Sequence, residues 1–384
     1  MNIGLMTGEY PPMQGGVGDY THALAHALAA LKVEVHIFTR SDRSAVYRPP
    51  SAIVVHPVIK RWSFPALLQI RSLAQSLNLS ILNVQYQAAA YGLSAPIHFL
   101  PDIVGSETKT VVTFHDLRIP YLFPKAGPLR PWAVTHLARS ASGVIVTDPA
   151  DESELHKRGG VKHLTQIPIG SNIAPNPPPD YGRAAWRAQW GVQPDEFLIG
   201  YFGFLSESKG GDVLIGALAA LAGRQARAKL ILIGGQSGSS DSANNDAFVL
   251  EIDKLIRDYN VADRLLRTGF VESPQVSAHL LACDAIVLPY RDGVSFRRGS
   301  LMAALAHGCP IITTYPATPL PILQEGVNIR LVPPGSASAI VLAVTELLDA
   351  PELCARLGQG ARDLARHFTW ESIAERTLAF FQTI

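Results

Sequence analysis

Residues 174–179 of the chain read Ala-Pro-Asn-Pro-Pro-Pro. Proline fixes φ and has no backbone N–H, so such a stretch cannot continue a helix and makes a poor interior strand. We therefore interpret residues 174–180 as a linker between two domains. The length agrees, because 384 residues exceed one ordinary hydrophobic core and suit two domains of under about 200 residues each.

The same pattern of short apolar runs separated by helical patterns appears on both sides of the linker. Predicted strands rich in valine and isoleucine precede it at residues 2–6, 33–38, 53–55, 81–84, 110–114 and 143–147, and follow it at residues 197–202, 229–233, 265–268, 285–288 and 310–313. Such strands, alternating with helices, are typical of parallel sheets that helices cover on both faces. The pattern predicts an α/β protein with two doubly wound, Rossmann-like domains.

The predicted domains span residues 1–173 and 181–368. When two doubly wound domains face each other, their strand ends meet at a central cleft, where ligands bind. Residues 369–384 form a last helical pattern, which we expect to cross back to the first domain.

Composition narrows the class of partner. The net charge of +1, from 33 basic and 32 acidic residues, lacks the strongly basic face that nucleic-acid binding requires. Hydrophobic residues make up 47% and charged residues 17%, which excludes global disorder. Cys283, Cys309 and Cys354 lie far apart in apolar stretches, so they predict free thiols in a reducing compartment, with neither disulfides nor metal-ligand spacing.

The amino terminus starts directly with the predicted first strand and has no signal-peptide pattern. We therefore expect a cytoplasmic protein. Residues 58–64 (Val-Ile-Lys-Arg-Trp-Ser-Phe) join two cations to two aromatic residues ahead of a helical pattern. Such a segment predicts peripheral contact with the inner face of a membrane, although it more often forms a loop that feeds a buried helix.

Three glycines, Gly15, Gly16 and Gly18, open a helical pattern over residues 19–31. Glycines let the backbone approach a ligand closely, and a helix N-terminus offers unpaired N–H groups to phosphate. The dinucleotide fingerprint is absent, because Thr21 stands where its third glycine would be. The alternative is a tight helix-entry turn without a ligand.

Two further candidates follow predicted strands. His115 ends the run Thr-Phe-His-Asp at residues 113–116, a position that favours contact with a sugar hydroxyl in an open α/β sheet; a structural histidine is the alternative. Lys209 stands beside Gly210 at a predicted helix start, where its charge and the helix dipole would serve a diphosphate. Its alternative is a solvated lysine in a first helical turn.

The last candidate is the stretch over residues 289–300, which leads into a helical pattern over residues 298–307. It combines a turn at Gly293 with Arg297 and Arg298 and with a helix N-terminus. This combination is typical of anion sites. A purely structural role is less common, because adjacent arginines are costly to bury without acidic partners.

The order of these four elements resembles the GT-B glycosyltransferases of family GT4. The matching motifs are Gly-Gly-x-Gly at 15–18, Thr-x-His-Asp at 113–116, Ile-Pro-Ile-Gly at 167–170, Gly-x5-Lys-Gly at 203–210 and Ala-x-Ala-x-Gly-x-Pro at 304–310. The resemblance covers nearly the whole chain. It implies the GT-B fold and transfer of a sugar from a nucleotide-diphosphate sugar, with retention of anomeric configuration, by front-face attack, and without metal or cofactor.

The resemblance also assigns roles to residues. It implies catalytic roles for His115, Lys209 and Asp292. The residues that it implies at the donor phosphates are Gly15, Gly16, Gly18, Lys209, Gly293, Val294, Ser295, Arg297, Arg298 and Ser300. It places the nucleotide base near Gly269, Phe270 and Val271.

Two positions depart from the family pattern. Phe204 replaces an arginine that contacts the donor diphosphate, and Ala303 replaces the glutamate that holds the ribose. In the family this glutamate is the second of a Glu-x7-Glu motif. The first glutamate of the motif is matched either by Asp292, with two extra residues between the two halves, or by Ser295 without a gap. We hypothesise that the pair Arg297–Arg298 replaces the cation lost at Phe204. In the alternative, one arginine pairs with Asp292 and braces the turn.

The expected partners are therefore a nucleotide-diphosphate sugar donor and a sugar or lipid-linked acceptor, and no nucleic acid. A GT-B epimerase or phosphorylase would share the architecture. A non-catalytic sugar- or nucleotide-binding protein is a further alternative, because Phe204 and Ala303 replace family residues. A nicotinamide oxidoreductase is the weakest alternative, since the glycine fingerprint of dinucleotide-binding proteins is missing. The sugar, base, acceptor and oligomeric state stay open.

Overall fold

The structure is a computed structural model that describes residues 1–13, 15–41, 52–117, 129–235 and 242–384. Contacts divide it into two compact units. The first unit comprises Met1–Gly170 and Thr369–Ile384, and the second comprises Ser171–Phe368. Each unit contains a parallel sheet with helices packed on it, so the predicted α/β class is confirmed.

The first unit has a seven-stranded sheet among its described residues, in the order β3-β2-β1-β4-β5-β6-β7. Its strands are β1 Asn2–Thr7, β2 Glu34–Arg40, β3 Ile53–Ile59, β4 Ile81–Tyr86, β5 Lys109–Phe114, β6 Gly143–Val146 and β7 Leu164–Gln166, and its first helices are α1 Gly16–Ala30, α2 Phe64–Ser76, α3 Leu100–Val104, α4 Leu129–Ser140 and α5 Pro149–Arg158. All paired strands run parallel. The chain order therefore reverses between β1 and β4, the switch point of a doubly wound sheet.

Burial on both faces explains the apolar runs of these strands. Ile3 and Leu5 of β1 face one core with α1, while Met6 points to the other core with α2. Successive side chains of a strand point to opposite faces, so a strand covered on both sides is apolar at every position.

The second unit has a six-stranded parallel sheet among its described residues, in the order β10-β9-β8-β11-β12-β13. Its strands are β8 Phe197–Phe202, β9 Ala228–Ile233, β10 Leu265–Arg267, β11 Ala285–Leu288, β12 Ile311–Thr314 and β13 Arg330–Val332, and its helices are α6 Arg183–Gln189, α7 Gly211–Gly223, α8 Ser242–Asp258, α9 Ser273–Ala282, α10 Gly299–Ala306, α11 Ala337–Asp349 and α12 Pro351–Ala365. Here the order reverses between β8 and β11, as in a Rossmann sheet.

The last helix, α13 Trp370–Thr383, packs in the first unit. Ile373, Ala374 and Phe381 are buried in the core that contains α1. The ring of Trp370 lies 5.2 Å from that of Tyr20 on α1. Among the described residues, no helix is both long and apolar enough to cross a membrane.

The structure differs from the predicted elements at sheet edges and helix starts. The edge strands β7 and β13, of three residues each, were not predicted. Helix α1 begins three residues before the predicted start, which places Gly16 and Gly18 inside its first turn. Lys209 ends a separate 3-10 turn and does not belong to α7, since Gly210 interrupts the helix with a left-handed conformation at φ +67°.

The segment predicted as a linker contains no helix or strand, and contacts place it in the second unit, which begins at Ser171. The exact domain limits stay a prediction.

Candidate active site

In the second unit, the loops after β8 and β11 meet at the switch point. The N–H of Arg291 donates to the carbonyl of Ser208 at 2.9 Å. A Cβ at Gly210 would lie 2.1 Å from the carbonyl oxygen of Pro289, so only glycine lets the two loops approach this closely. Lys209 is thereby held against the turn that contains the two arginines.

The turn after β11 also depends on a glycine. Gly293 has φ +83°, and a Cβ there would lie 2.6 Å from the carbonyl oxygen of Tyr315. Val294 is buried beside it, and the N–H of Arg298 donates to the carbonyl of Ser295 at 3.3 Å. This backbone geometry places Arg298 at the N-cap of α10.

Two cations lie close together in this part of the second unit. Burial, and then the positive charge of Arg298, lower the pKa of Lys209 to about 8. In the described part of the chain, the Lys209 ammonium has no hydrogen bond or ion pair; the ring of Phe204 lies 5.8 Å from it. A buried ammonium with a lowered pKa beside a second cation favours the binding of an anion.

Arg298 is itself anchored. Its guanidinium forms an ion pair with Asp292 and lies 4.7 Å above the ring of Tyr290. The Tyr290 hydroxyl and the hydroxyl of Ser300 are 2.7 Å apart, both buried. One carboxylate uses only part of the five N–H donors of a guanidinium, so this ion pair leaves Arg298 able to donate to a further anion. Arg297 makes contacts of its own.

The two departures from the family motif have visible consequences. Phe204 is 40% exposed, and its side chain borders Lys209 where the family has a second cation. Ala303 is fully buried in α10, and its carbonyl accepts a hydrogen bond from Nδ1 of His307 at 2.7 Å. Asp292, the candidate for the other motif glutamate, is engaged by Arg298.

The residues predicted to lie near the nucleotide base follow the edge strand β10. Gly269 has φ +66° and forms a bridge with Gly234, at the carboxyl end of β9. Phe270 is 66% exposed. An exposed aromatic ring beside two backbone glycines is suited to a planar ligand. Val271 is half-buried beside it.

In the first unit, the loop after β1 brings a carboxylate to the start of α1. Glu9 Oε1 accepts hydrogen bonds from the N–H groups of Val17 at 3.1 Å and Gly18 at 3.4 Å. Glu9 thus caps the helix in the manner of an anion at a helix N-terminus. Burial raises the pKa of Glu9, and the two N–H groups oppose that increase.

The three glycines of this motif are not equivalent. A Cβ at Gly15 would lie 2.0 Å from the Glu9 carboxylate, and a Cβ at Gly18 would lie 3.0 Å from the Glu9 carbonyl oxygen. A Cβ at Gly16 would meet nothing within 4 Å. None of the three has a left-handed φ, so their role is space and not conformational freedom.

His115 lies directly after β5, and two side chains hold its ring. Nε2 lies 3.0 Å from Oε1 of Gln85, and the edge of the Tyr20 ring is packed on it with the centroids 4.6 Å apart. Burial lowers the pKa of His115 to about 3. The imidazole is therefore neutral at physiological pH.

The structure thus gathers Lys209, Asp292, Gly293, Arg298 and Ser300 at one switch point, and places Gly269–Val271 at the edge of the same sheet. Gly15, Gly16, Gly18 and His115 belong to the first unit. The sequence reasoning missed Glu9, Asn83 and Gln85. The signal for Glu9 was a carboxylate two residues after the first strand, and the signal for the other two was a pair of polar residues at alternate positions of an apolar strand. Within the described residues, no group of three or more His, Cys, Asp or Glu side chains is arranged to hold a metal ion.

Two family models match adjacent parts of the chain. The model "Glycosyl transferase 4-like domain" matches residues 15–170, and "Glycosyl transferases group 1" matches residues 182–364. Together they cover most of both units and all five of the matching motifs described above. The chain belongs to the GT-B glycosyltransferases of family GT4.

Curated relatives have the same activity class. The D-inositol 3-phosphate glycosyltransferase of Arthrobacter sp. (strain FB24) is 26% identical over 389 residues, which span 95% of this chain and 89% of the relative. The enzyme of the same name from Paenarthrobacter aurescens (strain TC1) is 24% identical, with 96% and 93% covered.

Solved structures show the same fold. Sucrose-phosphate synthase from Thermosynechococcus elongatus has a TM-score of 0.78 at 21% identity and covers 100% of this chain and 98% of its own. Anabaena Alr3699/HepE in complex with UDP and glucose has a TM-score of 0.75 at 19% identity, with full coverage of both chains. At these identities the likeness establishes the GT-B fold.

Gly15 and Gly16 offer a matched pair of substitutions. We expect Gly15→Ala to displace the Glu9 carboxylate and lower the free energy of unfolding by about 1 kcal/mol, the value of a lost cap. We expect Gly16→Ala to raise it by about 0.5–1 kcal/mol, because alanine replaces glycine in a helix. Urea unfolding of both variants measures the difference. Equal effects of the two substitutions would show that Glu9 does not cap α1.

Proposed function

We propose that the protein is a retaining, metal-independent glycosyltransferase that takes a sugar from a nucleotide-diphosphate sugar. The observation that carries this proposal is the pair of neighbouring cations at the switch point of the second unit, Lys209 and Arg298. The N-terminus of α10 lies directly after Arg298 and adds its dipole to the same site. A diphosphate matches all three features.

In the proposed reaction, the bond between the anomeric carbon and the β-phosphate oxygen breaks, and negative charge develops on the diphosphate. Lys209 and Arg298 stabilise that charge in place, without a metal. An acceptor hydroxyl bonds to the anomeric carbon on the face that the diphosphate leaves, so the configuration is retained. The hydroxyl proton passes to the departing phosphate oxygen. His115, neutral at the pH of the reaction, accepts a hydrogen bond from a sugar hydroxyl.

Uridine diphosphate sugars are the donors to test first. Anabaena Alr3699/HepE, which shares the fold, is described in complex with UDP, with UDP and glucose, and with UDP-glucose. We propose that the base lies near Gly269, Phe270 and Val271. Of the glycines Gly15, Gly16 and Gly18, we propose that the first two approach the donor phosphates, because the N–H of Gly18 already donates to the Glu9 carboxylate.

We also propose that the first unit contacts an anionic membrane surface, through a patch that we name the aromatic patch. Its members are apolar side chains of α2, of the 3-10 turn before α3 and of α4: Phe64, Leu68, Phe99, Leu129 and Trp132. Four of the five are more than half exposed. The rings of neighbouring members lie 6.0 Å apart for Phe64–Phe99 and 6.2 Å apart for Phe99–Trp132.

Cations border the aromatic patch. Lys60 and Arg61 precede α2, and Arg71 follows Leu68 by one turn on the same helix; all three are exposed. Basic side chains around exposed aromatic rings match the headgroup region of an anionic bilayer. Trp62, which belonged to the predicted membrane segment, is instead buried against Tyr91. A membrane contact would bring a lipid-linked acceptor to the first unit.

Turnover of UDP-glucose tests the reaction itself. We expect UDP release in the presence of a hydroxyl acceptor, and nuclear magnetic resonance of the product should show the α-anomer, which is the configuration of the donor. Lys209→Met removes the ammonium at nearly constant length and should lower kcat/KM by on the order of 10²-fold. The absence of turnover with a panel of UDP, GDP, ADP and dTDP sugars would favour a non-catalytic protein.

The lowered pKa of Lys209 predicts that UDP binding takes up a proton at high pH. With a pKa of about 8, Lys209 of the protein without ligand is mostly neutral at about pH 9 and charged at about pH 7. Bound diphosphate favours the ammonium, so UDP binding should take up nearly one proton at the higher pH and almost none at the lower. Calorimetry in buffers of different ionisation enthalpy measures the uptake. Lys209→Arg, which is charged throughout, should abolish it; uptake that persists would remove Lys209 from the phosphate site.

Separate measurements of UDP and uridine binding test the arginines. Because Arg298 lowers the pKa of Lys209, we expect Arg298→Ala to lose about 1.5–3 kcal/mol of UDP affinity with uridine affinity unchanged. Arg297→Ala should have a smaller effect. Asp292→Asn is the control: it removes the partner of Arg298 and should leave UDP affinity equal or higher. If both arginine variants bind UDP normally, neither arginine replaces the cation lost at Phe204.

Vesicle co-sedimentation tests the aromatic patch. The wild type should bind vesicles that contain phosphatidylglycerol more tightly than pure phosphatidylcholine vesicles, and added salt should weaken binding. Combined Phe64→Ser and Trp132→Ser substitutions should abolish binding. Leu250→Ser, at a site on α8 that is 69% exposed, is the matched control. Equal binding to both vesicle types would contradict the proposal, and a smaller particle mass in the double variant would identify the patch as a self-interface.

A further inference from the structure

A row of buried polar side chains lies on one face of the first sheet and ends at His115. Asn83 and Gln85 lie on β4, and Thr113 lies on β5; all three are at most 1% exposed. Both strands are central in a sheet covered on two faces. Uncharged polar groups are costly at such positions unless every one of them is hydrogen-bonded.

The orientation of Asn83 is determined by the backbone. Strand register pairs Asn83 with Val111, and Nδ2 of Asn83 lies 3.3 Å from the carbonyl oxygen of Val111 and 2.9 Å from the hydroxyl of Thr113. A carbonyl oxygen only accepts. The nitrogen of the Asn83 amide must therefore face β5, and its oxygen faces Gln85.

The orientation of Gln85 follows from that of Asn83. Its Nε2 donates to Oδ1 of Asn83, which leaves Oε1 of Gln85 directed at His115. Oε1 lies 3.0 Å from Nε2 of the imidazole, and because an amide oxygen only accepts, Nε2 must carry the proton. The other ring nitrogen, Nδ1, then has a free lone pair, and in the described part of the chain it has no hydrogen-bond partner.

We propose that Asn83 and Gln85 are positioning residues that hold His115 in its neutral Nε2–H tautomer, so that Nδ1 accepts a hydrogen bond from a hydroxyl of the transferred sugar. The inference rests on the proposed function for its last step. Tyr20 also packs against the imidazole in a T-shaped contact, with the ring centroids 4.6 Å apart. The tautomer itself is a property of the protein without ligand.

Nuclear magnetic resonance of the protein with 15N-labelled histidine tests the tautomer directly. We expect His115 to show the Nε2–H pattern. His307 is an internal reference, because its Nδ1 donates to the carbonyl of Ala303 at 2.7 Å and its Nε2 lies 2.9 Å from the hydroxyl of Ser277. It should show the opposite, Nδ1–H, pattern in the same spectrum. A wild-type His115 in the Nδ1–H form, or in a mixture of forms, would overturn the proposal.

Two variants test the row of polar side chains behind His115. Asn83→Leu keeps Gln85 but frees its amide to rotate, so His115 should become a mixture of tautomers although its direct partner is unchanged. Gln85→Met removes the partner. Thr110→Val is the control, since it removes a buried β5 hydroxyl that has no hydrogen bond and should leave the tautomer unaltered.

Activity assays distinguish the role of His115 from the positioning role of Asn83 and Gln85. With UDP-glucose as the probe, Asn83→Leu and Gln85→Met should both lower kcat/KM by about 3- to 10-fold, the value of one neutral hydrogen bond, with UDP affinity unchanged. If His115→Ala turns over UDP-glucose as the wild type does, the role of His115 in the proposed function is wrong. If His115→Ala is impaired but a mixed tautomer in Asn83→Leu leaves kcat/KM unchanged, the positioning role is wrong and the proposed function stands.

Discussion

In both units, a parallel strand that is covered on two faces leaves room for polar chemistry mainly beyond its last residue. Buried N–H and C=O groups are satisfied by the neighbouring strands, and the side chains on both faces are mostly apolar. Functional groups are therefore collected at the carboxyl ends of the strands. Glu9 and His115 follow β1 and β5, and the loops that contain Lys209 and Arg298 follow β8 and β11.

The switch points bring the loops at these strand ends together. At the place where strand order reverses, the loops of two central strands leave the sheet side by side and in opposite directions. In the second unit the two loops touch through Gly210 and Pro289, and two cations are pressed together. Loss of water on burial, and then the positive charge of Arg298, lower the pKa of Lys209. An anion bound beside both charges would favour the ammonium form of Lys209.

The departures of this chain from its family fall within that same site. Phe204 removes one cation, and Ala303 removes the carboxylate that would hold a ribose. Of the charges that remain, Arg298 is held by Asp292 and by the ring of Tyr290. The polar side chains behind His115 depart from the apolar pattern of the buried strands. They are tolerated because every amide among them has a partner, and a satisfied buried network is rigid.

Three features can be predicted from the amino-acid sequence: the α/β class, the repetition of one architecture on both sides of a proline-rich stretch, and the candidate residues at strand ends. These follow from local periodicity and from proline and glycine, which act within a few residues. Packing between distant segments is needed to show that Glu9 caps α1, that Lys209 and Arg298 are neighbours, and that Asn83 and Gln85 orient His115. Glu9 and Val17 lie 8 positions apart and Gln85 and His115 lie 30 positions apart, and Lys209 and Arg298 are further apart still. Strand register and loop packing bring these partners together, and no pattern of neighbouring residues predicts either.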